Sequence, residues 1–466
     1  MKNNPQRNMK KGSPVIIILL AVIIVAIVSF LPLSKWTDGK VKDFSLFSDI
    51  LKEVKIMEGD NSSSSKNEEI DPELLEAMAE ADSIARDSIA ALPVDTIVAP
   101  IMPSRKGELV MIEDYTTDGV GLEHLKNAIS SGALARIAVV GDSYIEGDIF
   151  TQDLREMLQE AYGGEGVGYV NMHTDFPGFR RSIRQGGSGW KTFLANKKVD
   201  KQYLFLPEQY AMPTGDALST YKGSSSFPHA AKWSRSRFLF IAPENTSINV
   251  KTSEGEWEER NIEGNPNVQC IEVAAQTSEF DIKTSDTSLI GLGVWLDGTT
   301  GVSLDCMSSR GFSGITLTKI NQSLCREISE IIDYDLIVLE FGINAMSSKQ
   351  TDYSIYSSKM VDVINHVRSC FPRADILMMG VGDRGEKHGS QVRSMATAPA
   401  MISAQRDAAR RAHCLFWDTR EAMGGEGAVV SWSSSGHINK DYVHMSHKGG
   451  ARLAKELFNA IQHELQ

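Results

Sequence analysis

A handful of residues in this chain have the types and neighbours that an acyl-transfer site requires. Ser143 ends the run IAVVGDS, where apolar residues pass straight into Gly-Asp-Ser. SSRGFSG carries Gly311 and Gly314, GIN carries Asn344, and DYVHMSHKGG holds Asp441 three residues before His444. A serine, a glycine that exposes backbone, a side-chain amide and an Asp/His pair are the parts of a site that forms and breaks an acyl-enzyme. Each part alone has a plainer reading. Gly-Asp-Ser also makes strand-to-helix loops, Asn344 by itself is a loop amide and a single glycine is a turn. His437 and His447 compete with His444, but neither follows an acid by three positions. Asp142 reads as a structural hydrogen-bonding residue beside Ser143.

These residues need elements to hold them, and the pattern supplies strands and helices in alternation. A helix is expected around Leu122 to Ser130, a buried strand at Ile137 to Val140, and an amphipathic helix from Asp148 to Tyr162 closed by Gly163-Gly164. That last helix, starting soon after Ser143, would point its N-terminus at an oxyanion. Strands are expected again at Leu336 to Gly342, Asp375 to Val381 and Cys414 to Asp418. Between the two blocks the character changes: RFLFIA, SINVKT, CIEVAA, EFDIKT and LIGLGVWL are short runs separated by Asn, Gly, Asp and Ser, the pattern of a small antiparallel sandwich. Strand-helix alternation on both sides of the sandwich implies one parallel sheet interrupted by an insert. In open parallel sheets, active groups gather where strands end, and Ser143 and Asn344 both follow expected strands.

Length and charge bound the rest. The 466 residues are 42% hydrophobic, enough for two or three domains, and 60 acidic against 48 basic residues give a net charge of -12. That balance argues against a nucleic-acid partner. Much of it is local, since Met57 to Leu92 holds ten acids against Lys66 and Arg86. Val15 to Leu33 is an uncharged apolar run of nineteen residues preceded by Lys2, Arg7, Lys10 and Lys11. It is long enough to span a bilayer with the N-terminus inside, and no small-residue cleavage site follows it. The expected organisation is a cytoplasmic N-terminus over 1–14, a transmembrane anchor over 15–33 and a stalk with an acidic helix over 34–106. The α/β domain follows in two parts, 107–194 and 306–466, around a β-sandwich over 195–305. Five scattered cysteines without a C-x-x-C exclude a zinc ribbon and a dense disulfide scaffold. GGEGVG (Gly163 to Gly168) follows a helix and has no lysine after it, which makes a phosphate loop a poor reading.

Taken in order, GDS, SRGFSG, GIN and DYVH resemble the four blocks of the SGNH (GDSL-type) hydrolases. The stretch from GDSYIEGD to GVGYV, the insert and DYVHMSHKGG resemble most the bacterial peptidoglycan O-acetylesterases of that superfamily, in which a carbohydrate-binding-like β domain interrupts the hydrolase. The resemblance implies a three-layer, flavodoxin-like α/β fold without a cofactor or metal, and an O-acetylated glycan as substrate. It implies Ser143 as nucleophile, His444 as base and Asp441 as its orienting acid, with an oxyanion hole from the N–H of Ser143, the N–H of Gly314 and the Asn344 amide; the later glycine of SRGFSG stands in the functional place. A glycan O-acyltransferase with the same triad, and a glycan-binding scaffold with a vestigial one, are the alternatives. Arg180, Arg181 and Arg184 are expected either to meet a substrate carboxylate or to form a solvated loop. Trp233, Trp257 and Trp295 are either sugar platforms or core.

Overall fold

The structure is a computed structural model that describes residues 107–253 and 255–466. The anchor over 15–33 and the stalk over 34–106 lie outside the described residues. Among the described residues no helix is long and apolar enough to cross a membrane.

Runs of β-branched and aliphatic residues form the central sheet, in which Leu134–Gly141, Gly301–Ser308, Leu336–Glu340, Asp375–Met379 and Leu415–Trp417 all run parallel. The short Glu113–Asp114 strand closes one edge antiparallel to Leu415–Trp417. Numbered along the chain, the parallel strands lie in the spatial order 2-1-3-4-5, the flavodoxin-like arrangement. Both faces of the sheet are covered, so its strands are apolar on both sides. Ile137, Val139, Leu336 and Val338 face a layer with Leu125, Leu154, Leu158, Leu453 and Leu457. Those leucines lie on the helices Glu123–Ser131, Thr151–Tyr162 and His447–Glu464. The alternate residues Ala138, Val140, Ile337 and Leu339 face Leu324, Met360, Val363 and Met401. These come from Gln322–Ser329, Ser354–Cys370 and Ala398–Arg411.

The insert is larger than its expected bounds of 195–305. Gly166–Val170 and Ile183–Leu194 already belong to the antiparallel sheet, pairing with Ile290–Asp297 and Gln209–Gly223, whereas Gly301–Ser308 belongs to the parallel sheet. Glycine-rich GVGYV carries a weak strand signal, and the parallel strand that follows the insert is apolar enough to read as one of its own. The nine strands are linked by hydrogen bonds into one sheet. Its long Gln209–Gly223 strand pairs with Ile183–Leu194 along its length and with Glu279–Thr284 and Ile290–Asp297 at different ends, which ties two layers into one ladder. Alternation divides the side chains: Phe238 and Phe240 pack with Ile248, Val250 and Ile282 inside the insert. Leu239 and Ile241 instead join the core on the parallel-sheet side. Trp233 and Trp295 are fully buried core residues, and Trp257 lies under the Lys283 ammonium at 3.9 Å.

Buried charge fastens the insert to the parallel sheet. Arg136 donates to Asp297 at 2.8 Å, and Asp297 also accepts from Arg237 at 2.9 Å. Asp305 accepts from Trp295 Nε1 and the Tyr334 hydroxyl, both at 2.8 Å, and from the Tyr169 N–H at 3.0 Å. The three cationic neighbours of Asp297 hold its carboxyl below the usual range although burial pushes the other way. The glycine run singled out in the sequence is where the chain crosses into the insert. A Cβ on Gly168 (φ 66°) would stand 2.1 Å from Asp305 Oδ1 and 2.8 Å from the Leu304 carbonyl oxygen. Gly168→Ala is therefore expected to cost about 3 kcal/mol of stability, read as a lower urea midpoint with an unchanged m-value. Gly178→Ala, with nothing within 4 Å of its Cβ position, should cost less.

Candidate active site

Ser143 stands just past the C-terminal end of the first parallel strand, and Asn344 just past that of its neighbour Leu336–Glu340. In the order 2-1-3-4-5 this gap is the topological switch point, where neighbouring loops turn to opposite sides and leave a crevice. His444 arrives from the far end of the chain. It lies in a tight loop whose ends are joined by the Ile438–Met445 bridge, just before the C-terminal helix that Ser446 caps by accepting from the Gly449 N–H. That helix can press against the segment after Ser143 because Gly450 has no side chain. A Cβ there would meet the Ile149 carbonyl oxygen at 2.0 Å.

The three side chains form a hydrogen-bonded relay. His444 Nδ1 donates to Asp441 Oδ2 at 2.9 Å, which leaves Nε2 to accept from Ser143 Oγ at 3.0 Å. Asp441 Oδ1 accepts from the N–H groups of Val443 and His444 at 2.9 and 3.1 Å, so the carboxylate is fixed by its own loop. Burial alone would raise the Asp441 carboxyl, but the hydrogen bond and charge of His444 outweigh it and hold the acid below its ordinary range. The stability this contributes is present above the unfolded carboxyl's pKa and is lost as the pH falls through the lower folded one. The relay is half open, with the side chains of His444 41% and Asp441 33% exposed.

Asn344 is held more tightly than its sequence suggests. Its Nδ2 donates both to Asp142 Oδ2 and to the Phe312 carbonyl oxygen, each at 2.9 Å. Asp142 also accepts from the Tyr144 N–H at 2.9 Å, which confirms it as the residue that ties Asn344 to the serine loop. Gly314 (φ 92°) lies against Phe341, where a Cβ would come within 2.8 Å of the ring, while the Cβ position of Gly311 is open. Among the described residues no intramolecular bond takes the N–H of Ser143 or Gly314.

Two expectations change. The helix after Ser143 begins only at Thr151, because Gly147 (φ 69°) and Asp148 (φ 64°) break the backbone, so its N-terminus is separated from the serine by a short 3-10 turn. Arg180 neither awaits substrate nor lies in solvent. It donates to Asp148 at 3.0 Å and to the carbonyl oxygens of Tyr169 and Val167 at 2.8 and 3.0 Å. Asp148, fully buried, also binds Arg155, Ser182 and Thr151, a network no local signal announces. His447 sits beside Gln152, away from the relay, and burial together with Arg181 pushes it down to about 4. His437 bonds to Ser435 Oγ at 2.7 Å.

No family model matches this chain, and no curated protein matches it significantly. A solved structure described as "Peptidoglycan O-acetylesterase in action, 5 min" superposes with a TM-score of 0.63 at 23% identity, over 76% of this chain and 99% of that one. The chain shares the fold of that structure. Family two carbohydrate esterases from Cellvibrio japonicus and Clostridium thermocellum align over 60% and 55% of this chain and 99% and 94% of theirs. Each is 10% identical with a TM-score of 0.27.

Beneath the site lies an acid pair. Glu340 is buried next to Asp142, and both carboxyls are pushed upward, first by burial and, for Glu340, then by the charge of Asp142. The folded state therefore binds more protons than the unfolded chain once the pH exceeds the ordinary carboxyl pKa of about 4, and stability falls as the pH rises. Glu340→Gln should flatten that fall, measured as the difference between urea midpoints at pH 5 and pH 8. An unchanged difference would count against the pair as its source.

Proposed function

We propose that this protein is a serine esterase that removes O-acetyl groups from a carbohydrate, with peptidoglycan as the polymer. The observation that carries the reading is the continuous relay from Ser143 Oγ through His444 to Asp441, at 3.0 and 2.9 Å. Ser143 attacks the acetyl carbonyl carbon while His444 Nε2 takes its proton. The developing oxyanion meets the N–H groups of Ser143 and Gly314 and shares the Asn344 hydrogen now given to the Phe312 carbonyl. His444 returns the proton to the sugar oxygen, which leaves, and the acetyl group stays on Ser143. Water then attacks that ester with His444 again as base, and acetate is released. The exposure of His444 favours water over a second alcohol as acceptor, which supports hydrolysis rather than transfer.

Peptidoglycan as substrate is supported by the resemblance of the four motif blocks and by the fold likeness to a peptidoglycan O-acetylesterase. Placement outside the cytoplasm, tethered in the inner membrane by its N-terminal helix, is supported by the apolar run Val15 to Leu33 and its basic flank. The first test is acetate release from 4-nitrophenyl acetate and from O-acetylated peptidoglycan. Ser143→Ala should abolish turnover on both. Asp441→Asn should lower kcat about 10⁴-fold and Asn344→Ala about 10²-fold with little change in KM. Acetate release that survives Ser143→Ala would remove the serine from its role, and loss of activity to a chelator would contradict a metal-free site.

A further inference from the structure

Two of the five cysteines meet where the helices Gln322–Ser329 and Ser354–Cys370 join, a place the proposed reaction does not use. The first turn of one helix is tied to the last turn of the other. His366 Nε2 donates to the Ile320 carbonyl oxygen at 2.8 Å, and the Gln322 amide donates to the Ser369 carbonyl oxygen at 3.1 Å. Cys325 stands one turn past Gln322 and Cys370 one position past Ser369. Both are fully buried, and their thiols are hydrogen-bonded to each other. Among the described residues the other cysteines face different groups: Cys306 donates to the Ile145 carbonyl oxygen at 3.5 Å, Cys414 donates to that of Leu415 at 3.6 Å, and Cys270 lies near Arg237, Glu272 and Arg235.

The pair is polarised. Cys325 gives its S–H to the Cys370 sulfur, so burial and then this bond push the Cys325 thiol well above its ordinary range, while the same bond holds the Cys370 thiol below its own. His366 Nε2 stands 3.9 Å from Cys370 Sγ, but it carries the hydrogen given to Ile320 and so fixes the turn without acting as a base for the thiol. Among the described residues no three His, Cys, Asp or Glu side chains converge to hold a metal ion. What the two sulfurs border matters to the site. Gly314 opens the turn Ile315–Lys319 that leads to Gln322–Ser329, and the 46 residues from Cys325 to Cys370 include Asn344.

We infer that Cys325 and Cys370 are a dithiol that closes to a disulfide, stapling the two helices and fixing both ends of the segment that carries Asn344. The oxidant is an external disulfide, either of a protein or of glutathione. The Cys370 thiolate attacks one of its sulfurs and the other leaves as a thiol; Cys325 then attacks the Cys370 sulfur of the mixed disulfide and releases the second thiol. The two protons of the pair pass to the two departing sulfurs, and the external disulfide is the species reduced. Because both thiols are buried, exchange takes place while the chain folds, before the helices close on each other. Such pairs are oxidised outside the cytoplasm and kept reduced within it. The inference therefore draws on the proposed placement of the chain for its oxidant and is independent of the esterase reading.

The test has two arms. In the first, the full-length chain is made in bacterial cells, free thiols are blocked with N-ethylmaleimide in denaturant, and tryptic peptides are weighed without reductant. Residues 320–326 should be joined to 369–373, with Cys270, Cys306 and Cys414 blocked. Dithiothreitol should lower the melting midpoint of this protein by roughly 5 °C, and Cys325→Ala, with no bond to lose, should show no such shift. In the second arm the purified full-length chain is reduced, unfolded in urea with detergent and refolded in a glutathione buffer of oxidising poise, then mapped in the same way. A bond in the second arm alone would keep the pair and remove the proposed placement outside the cytoplasm instead. Blocked thiols at both positions in both arms, a bond from either position to another cysteine, or a reductant-dependent shift that survives Cys325→Ala would overturn the pair.

Discussion

The parallel pairing of Leu134–Gly141 with Gly301–Ser308 is the constraint on which the rest of this structure depends. The chain leaves the first strand, completes one helix, builds an antiparallel domain, and must then return in register beside the strand it left. Eight residue pairs enforce that return, and the Ser309 N–H donates to the Gly141 carbonyl oxygen at 2.8 Å just beyond them. The loop bearing Gly314 is thereby held beside the one bearing Ser143. A shift of the pairing would move the glycine loop away from Ser143 and expose half of an apolar strand.

Buried ion pairs reinforce this return where apolar packing alone would not specify it. Arg136 comes from the first parallel strand, Asp297 from the last insert strand, and Arg237 from its neighbour. Asp148, in the serine loop, binds Arg155 from the following helix and Arg180 from the loop between the first two insert strands. Groups taken so completely out of water gain little net stability from their attraction, since desolvation offsets most of it. Removal of one partner, however, strands a charge, so such clusters tolerate one arrangement of the two layers and penalise others. The cost of this specificity is borne at the border between insert and sheet.

The site itself combines rigid donors with an open relay. Asn344 is gripped from two sides, the Asp441 carboxylate is bound by its own loop, and Gly314 is wedged against Phe341. Donors fixed before the reaction need no reorganisation as charge develops. The imidazole, by contrast, keeps two-fifths of its surface in solvent, the access that the proposed deacylation by water requires.

The sequence by itself determined the parallel core and picked out the residues that the structure brings together past its strand ends. Both rest on short-range rules: apolar runs of strand length, helical periodicity, and residue types whose chemistry is intrinsic. Ser143, Asp441 and His444 were legible for that reason, and so was Asp142 as a structural hydrogen-bonding residue. Tertiary structure alone decided where the insert begins, that Asp148 and Arg180 neutralise each other, and that both hydrogens of the Asn344 amide are already engaged. It also decided the purpose of GGEGVG, which is close backbone crossing rather than phosphate binding. These outcomes depend on atoms thirty to two hundred residues apart meeting within about 3 Å, and the local pattern of a chain carries no record of which distant partner will occupy that space.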